Sequence, residues 1–410
     1  MRILYFHQHF STPKGTGGTR SYELARRLIR RGHTVTMVCG TNLRAMATND
    51  GVRTGQTRES VVGGIRVVEI VLPYSNYDGL IKRSITFIRF AFAGIRLALK
   101  EDYDLLFATS TPLTAGIPGI AAKLLRGKPF VFEVRDLWPE LPKAMGVIKN
   151  PVVLAMMSFL EWSSYRASDG CVALAPGIAN GIRRRSRPDH PICVVPNACD
   201  LDLFSAQADR QEVWPDVEEN DLVCVFTGAH GQANGLDAAL DAAAELIRRK
   251  EHGIYLAFIG DGREKPRLLR RADDEGLVNC LFRDLVPKER LAELLAASDV
   301  GMQLLANVPA FYYGTSPNKF FDYIASGLPV LNNYPGWLAE MIAGNELGKV
   351  VAPEHAGDFA DALVELSSEA GKLEEMGKNA RAFAEKEFDR SALARQFEQA
   401  LLETLKNYKP

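Results

Sequence analysis

Residues 314–330 read GTSPNKFFDYIASGLPV, a short helix handed directly to a buried strand. Ser316 is a good N-cap, and Pro317 suits the first helical position, where its missing N–H costs no hydrogen bond. Gly327 stops the helix, and Leu328-Pro329-Val330-Leu331 enters a strand. The first turn leaves N–H groups unpaired at the positive end of the helix dipole, a natural seat for phosphate. Lys319 adds a full positive charge there, which the dipole alone would disfavour. Asp322 falls on the same face as Asn318 and Lys319 by the three-to-four-residue rule. An amine for phosphate and a carboxylate for ribose hydroxyls suit a nucleoside diphosphate. The same residues also fit a capped surface helix with an ordinary Lys–Asp pair.

The alternation of helix and strand extends along the whole chain. Apolar or β-rich runs fall at Ile3–Phe6, Thr34–Cys39, Ile65–Val71, Leu105–Ala108, Phe130–Val134, Cys171–Ala173 and Ile192–Val195. After a connector at Asn197–Phe204 a second series begins: Leu222–Thr227, Ile254–Ile259, Leu281–Phe282, Val300–Leu304, Leu328–Leu331 and Lys349–Val351. Helical patterns between such runs give an α/β chain with parallel, doubly wound sheets. Two Rossmann-like domains are expected, residues 1–198 and 199–385, facing a cleft near residue 200. A last helix, residues 386–410, is expected to pack back on the first domain. Ligands in such sheets lie beyond the carboxyl ends of the strands. Residues 42–60 are polar and read as a loop, either over the cleft or a plain surface excursion.

Composition narrows the class. A chain of 410 residues accommodates two cores, and a net charge of −1 gives no reason to expect a nucleic-acid partner. The six cysteines show no paired metal spacing and read as reduced thiols of a cytosolic protein. Met1 leads straight into the first strand with no leader pattern, and no apolar run is long enough to span a bilayer. Asp200-Leu201-Asp202 lies in the connector and Asp102-Tyr103-Asp104 in a turn, so no metal site is expected.

Several landmarks together resemble a known family. They are Gly17-Gly18 before a helix, Arg31-Gly32-His33-Thr34-Val35, Val195-Pro196-Asn197-Ala198-Cys199-Asp200, Phe226-Thr227-Gly228, Ile259-Gly260-Asp261-Gly262, Ala297-Ser298-Asp299-Val300 and Ala325-Ser326-Gly327-Leu328-Pro329-Val330. Their order and spacing resemble the retaining nucleotide-sugar glycosyltransferases of family 4, which have the GT-B fold. Asp136-Leu137-Trp138-Pro139-Glu140 and Ser316-Pro317-Asn318-Lys319 are similar to the subgroup of N-acetylfucosaminyl transferases of bacterial surface-polysaccharide assembly. The chain also departs from the pattern. Of the family's two glutamates seven residues apart, the second falls on Asp322 and the first on Gly314. The family's Arg and Lys after the Phe226-Thr227-Gly228 strand correspond to Ala229 or His230 and to Asn234, none of them permanently cationic. The family's cleft histidine aligns with Arg135.

Transfer of a sugar from a nucleotide donor develops negative charge on the leaving diphosphate, which cations and backbone N–H groups must stabilise. Lys319, with Ser316 and Asn318 at its helix end, is the first candidate. Arg20, just after Gly17-Gly18, is a second; the glycine pair would also serve as a simple strand-to-helix turn. Gly228, His230, Gly260, Arg263, Lys265, Asp284 and Leu285 follow second-domain strands and complete the expected donor set with Asp322. Arg263 and Lys265 would equally be solvated loop residues. In the first domain, Glu133 and Arg135 share a strand face, and Arg135 is a candidate for a sugar hydroxyl or acceptor phosphate. Asp136 is the candidate general base toward an acceptor hydroxyl; a salt-bridge cluster shaping the loop is the alternative. Trp138, His7 and His9 are expected to pack.

Ile81, Ile85, Ile88, Phe92, Ile95 and Leu99 form a helical stripe, with Lys82, Arg83, Arg89 and Arg96 beside it. A core-facing helix with a solvated basic edge explains the stripe; a helix docking on anionic lipid explains it too. The expected protein is therefore a metal-independent retaining glycosyltransferase without a cofactor. It would move a sugar, N-acetylated and from a UDP donor, to a polyprenyl-phosphate-linked or other saccharide acceptor at the cytosolic membrane face. A sugar-nucleotide epimerase of similar fold and a catalytically silent saccharide-binding or scaffold protein remain as alternatives.

Overall fold

The computed structural model describes residues 1–15, 17–41, 52–74 and 78–409. The chain divides into two units: Met1–Pro196 with Gly314–Ser316 and Ser391–Pro410, and Asn197–Tyr313 with Pro317–Arg390. The division therefore falls two residues before the expected boundary at 198, and the return to the first unit comes at Ser391 rather than 386.

The first unit is built on β1 (Arg2–Phe6), β2 (Thr34–Gly40), β3 (Val52–Thr54), β4 (Thr57–Val62), β5 (Ile65–Ile70), β6 (Leu105–Thr109), β7 (Phe130–Val134), β8 (Gly170–Ala173) and β9 (Ile192–Val194). They form one sheet in the order β3-β4-β5-β2-β1-β6-β7-β8-β9. Every pair from β5 to β9 is parallel, whereas β3–β4 and β4–β5 are antiparallel. β6 and β7 are buried at every residue, because helices cover both faces of a parallel sheet. The expected loop at 42–60 is thus corrected over 52–60, which belongs to an antiparallel extension; residues 42–51 lie outside the described residues. Gly63 and Gly64, both with positive φ, make the tight turn between β4 and β5. The helix Arg390–Asn407 returns to this unit. Its Glu398 pairs with Arg31 and His33, and Phe397 meets the Phe107 ring edge-on at 5.0 Å.

The second unit holds β10 (Leu222–Thr227), β11 (Ile254–Ile259), β12 (Cys280–Arg283), β13 (Val300–Gln303), β14 (Val330–Asn332) and β15 (Gly348–Val350), all parallel, in the order β12-β11-β10-β13-β14-β15. Strand order reverses between β10 and β13, which makes the loop after β10 the expected ligand position of this sheet. Below it lies a core that includes Phe226, Leu240, Leu256, Phe258, Val300 and Met302.

The helix of the opening stretch spans Asn318–Ala325, one residue later than expected. Pro317 is its N-cap residue and makes no side-chain cap hydrogen bond, and Ser316 stands before it. Its end is as the glycine implies. Gly327 has φ +70°, Gly327 N–H donates to Ile324 C=O at 3.2 Å, and Leu328 N–H donates to Tyr323 C=O at 3.0 Å. No helix among the described residues is long and apolar enough to cross a membrane.

Candidate active site

The helix Asn318–Ala325 is fastened to the end of β10 by Tyr323. The phenol oxygen accepts from Thr227 N–H at 2.9 Å, and the ring covers Gly301, where a side chain would collide with it. This anchor carries Lys319, four residues earlier, to the loop after β10. Its Nζ donates to Asn234 Oδ1 at 2.7 Å and lies 4.0 Å from the centre of the Phe226 ring. Its Cε lies so near Gly228 that a Cβ there would sit 3.5 Å away. Among the described residues no carboxylate pairs with this amine. Burial without a compensating charge pushes its pKa down to about 7. Asn234 is the position where the resemblance calls for a lysine, so the amine of Lys319 reaches that place from another element.

Asp322 does not pair with Lys319. It is buried, and its Oδ1 accepts from Lys288 Nζ at 2.6 Å; burial pushes its carboxyl up while Lys288 pulls it back. Sequence reading missed Lys288, whose ammonium also lies over the Phe204 ring at 4.9 Å. Nothing local marks it, because its partner is 34 residues away. Asn318 is exposed at the helix start and Ser316 is half-buried.

Other expected donor residues serve the loops themselves. The turns after β10 and β11 lie backbone to backbone: Gly228 N–H donates to Ile259 C=O at 2.9 Å and His230 N–H to Asp261 C=O at 3.0 Å. A Cβ on Gly260 would sit 1.9 Å from Gly228 O, so this glycine is required by packing. His230 is sealed from solvent against Phe226 and Phe282, and among the described residues neither ring nitrogen has a hydrogen-bond partner. Burial lowers its pKa to about 4, leaving a neutral ring in place of the expected donor contact. Lys265 is likewise corrected. Its Nζ donates to the carbonyls of Gly260 and Arg283, both at 3.0 Å, and to Asp284 Oδ1 at 2.6 Å, closing the loop. Asp284 itself and Arg263 are exposed, and Leu285 is half-buried.

In the first unit the expected cation Arg20 is withdrawn from any ligand. Gly17 and Gly18 lead into its helix, Arg20–Arg30, and its side chain turns inward. Arg20 is 3% exposed; it makes two bonds to Glu133 Oε1, at 3.0 and 2.8 Å, and donates to Val195 O and Pro196 O. Glu133 also accepts from Thr109 Oγ1 at 2.6 Å. Glu133 is thus paired with Arg20, and Arg135 takes other partners. Arg135, half-buried, donates to His7 Nε2 at 3.2 Å and is held by its backbone N–H on Ser110 Oγ at 2.9 Å. His7 is buried beside it and kept neutral by desolvation and the guanidinium. Asp136 accepts from Thr111 Oγ1 at 3.4 Å, and burial raises its pKa. Arg135 and Asp136 follow β7, while His7 follows β1, so the structure brings these three to the carboxyl ends of neighbouring parts of one sheet.

The basic helix spans Leu80–Lys100, and its stripe faces the other way from the core reading. Its buried face is Thr86, Phe90, Ala91, Gly94 and Ala98. Ile81, Ile85, Ile88 and Phe92 are 79%, 52%, 49% and 67% exposed. Gly94 explains the orientation, since a Cβ there would meet Pro118 at 2.8 Å and Phe6 at 3.0 Å. The helix packs through its small residues and Phe90, and leaves Ile81, Ile85, Ile88 and Phe92 outside. Lys82 pairs with Asp78, and Arg83 lies over Tyr74. Arg89 and Arg96 are exposed with no carboxylate partner among the described residues.

Comparison with known proteins agrees with this geometry. Residues 15–198 match the family described as "Glycosyl transferase 4-like domain", and residues 221–369 match "Glycosyl transferases group 1". The D-inositol 3-phosphate glycosyltransferase of Gordonia bronchialis is 28% identical over 209 residues, 47% of this chain and 43% of the relative, so that match spans less than half of the relative's own length. The putative colanic acid biosynthesis glycosyl transferase WcaI of Escherichia coli K12 is 24% identical over 285 residues, 67% of each chain. The structure of HepE of Anabaena in complex with UDP and glucose superposes with a TM-score of 0.71 at 16% identity, covering 98% of this chain and 99% of that one. This last likeness speaks for the fold alone. With family matches on both parallel-sheet units, the chain belongs to the group 1, family 4-like glycosyltransferases of GT-B fold.

Proposed function

We propose that the protein transfers a sugar from a nucleotide donor, a UDP-sugar, to a saccharide acceptor carried on a lipid in surface-polysaccharide assembly. The observation that carries the reading is the Lys319 amine at the strand-order reversal of the second sheet, without a carboxylate partner among the described residues. A diphosphate placed there meets the cation it needs as its charge develops. Asp322 then holds a ribose hydroxyl through the oxygen not committed to Lys288. Arg135 and Asp136, at the sheet ends of the first unit, take the acceptor side, with the raised basicity of Asp136 suited to accepting a proton. The colanic acid relative in sequence supports the pathway class, and the UDP donor is the choice the family resemblance favours. The exposed apolar stripe with Arg89 and Arg96 supports docking of the first unit on an anionic membrane surface. An N-acetylated sugar is the donor that the subgroup resemblance favours.

The test is a thermal-shift panel of nucleoside diphosphates and their sugars. Ligand at a hundred times its Kd stabilises the folded state by about 2.7 kcal/mol. UDP and a UDP-sugar should raise Tm and uridine should not. A panel in which no nucleoside diphosphate raises Tm would contradict the reading.

A further inference from the structure

The first unit contains a groove of about 490 Å³ that none of the site residues assigned above lines, between the loop after β7 and the helices Pro151–Ala167 and Pro176–Arg185. Leu137, Trp138, Leu154 and Ala155 give it apolar walls, and Lys143 and Arg184 stand at it as cations. Neither cation has a carboxylate partner among the described residues; Arg184 Nε donates to the Asn180 carbonyl of its own helix at 3.4 Å. The groove's two carboxylates are unequal. Glu161 is buried and bound by Arg185 at 3.1 Å and Tyr165 at 2.9 Å, and burial raises its pKa to about 7, whereas Glu140 is exposed. The Nε1–H of Trp138 is buried and meets no acceptor among the described residues.

The helix along one wall is inverted in its polarity. Asn150 caps it through Val152 N–H and Val153 N–H, and its buried residues are Glu161, Ser164 and Tyr165. Val152, Met156, Phe159 and Trp162 face out. An apolar wall that continues onto an apolar helix face, with two unpaired cations and a spare N–H donor, is complementary to a phosphate bearing a long apolar chain. Leu137 and Trp138 directly follow Asp136, so a chain phosphate held there lies beside the proposed base.

We propose that this groove binds the phosphate and first apolar segment of a single lipid-phosphate carrier, the lipid end of the acceptor. Lys143 and Arg184 hold the phosphate, Trp138 Nε1–H donates to it, and the chain leaves over Met156 and Phe159. The proposal rests on the lipid-linked acceptor reading and concerns only the first unit.

The experiment titrates the full chain calorimetrically with farnesyl phosphate below its micellar range. Parallel arms use farnesol, inorganic phosphate and phosphatidylglycerol vesicles. Farnesyl phosphate should bind at least about tenfold more tightly than farnesol or phosphate. Arg184→Glu with Lys143→Glu, and separately Ala155→Trp at the exposed rim, should each weaken it by about tenfold or more while vesicle binding and UDP affinity persist. Unchanged melting temperatures confirm that both variants are folded, and Arg184→Lys should retain most of the binding. The proposal is overturned if wild type ignores farnesyl phosphate, if farnesol or inorganic phosphate binds as well, or if both folded variants bind normally. It is also overturned if vesicle binding falls in parallel, which would make the groove a bilayer headgroup site. Loss of UDP binding in wild type would count against the transferase reading and leave the groove's result standing.

Discussion

Each sheet places a cation near the carboxyl ends of its strands, and the two cations are held in opposite ways. Arg20 is enclosed by Glu133 and two backbone carbonyls, all its charge matched within the protein. Lys319 has an amide oxygen and an aromatic face for neighbours and no carboxylate among the described residues. A buried cation with its counterion is part of the scaffold: removing one partner strands the other in low dielectric. A desolvated amine without one gives up stability in the empty protein and recovers it when an anion arrives. The contrast separates structural from ligand-seeking charge, which residue type alone could not do.

The largest expected effect lies on the scaffold side. Arg20→Ala should lower unfolding stability by about 3–5 kcal/mol, because Glu133 is left buried and unpaired. Urea unfolding of the full chain measures it, and a loss near zero would remove Arg20 from the scaffold. Lys319→Ala should instead lower turnover by about 10²–10³-fold, the scale of one lost charge-stabilising donor, with an unfolding midpoint at or above that of wild type because the desolvated amine is gone. Placing a lysine at Asn234 in that variant should restore part of the rate, since both positions serve the same spot; no recovery would separate them. Asp322→Asn keeps the side-chain shape and removes the charge. It should weaken UDP itself by about tenfold, in line with the loss of one charge-assisted hydrogen bond. Normal UDP affinity would return Asp322 to the scaffold class with Lys288. The smallest effect is at the exposed helix. Arg89→Ala and Arg96→Ala should each weaken binding to anionic vesicles by about 1 kcal/mol, with further weakening as salt rises and no change in UDP affinity.

The strands were legible because parallel sheets covered on both faces demand apolar runs, and β1, β6, β7, β10 and β11 carry them. The β3–β4 extension was not, since Thr57-Arg58-Glu59-Ser60 is polar near a sheet edge; the Gly63-Gly64 pair before Ile65 was the overlooked signal. Ser316-Pro317 misled by one residue because its cap signature is local, whereas the helix start is fixed by the Tyr323 anchor to β10. Lys319 was visible as a charge in a helix turn, but its partner Asn234 is 85 residues away. Arg20 was the second candidate cation, and its Glu133 contact, across 113 residues, reveals the difference. Periodicity found the stripe at Ile81–Leu99 yet could not say which face was buried. That choice belongs to Ala91, Gly94 and Ala98, whose smallness permits close packing.

The central claim is that the Lys319 amine receives the donor diphosphate, and its depressed pKa makes the claim measurable. Near pH 8 an amine with pKa about 7 is mostly neutral, and a bound diphosphate favours its protonated form. UDP titrated calorimetrically at that pH, in buffers of different ionisation enthalpy, should therefore take up close to one proton per site in wild type, on the order of 0.9 for such a pKa. Affinity should fall as pH rises above about 7. In Lys319→Met the uptake should vanish and the affinity should lose that slope. UDP binding without proton uptake in wild type, or the same uptake in the variant, would contradict the account.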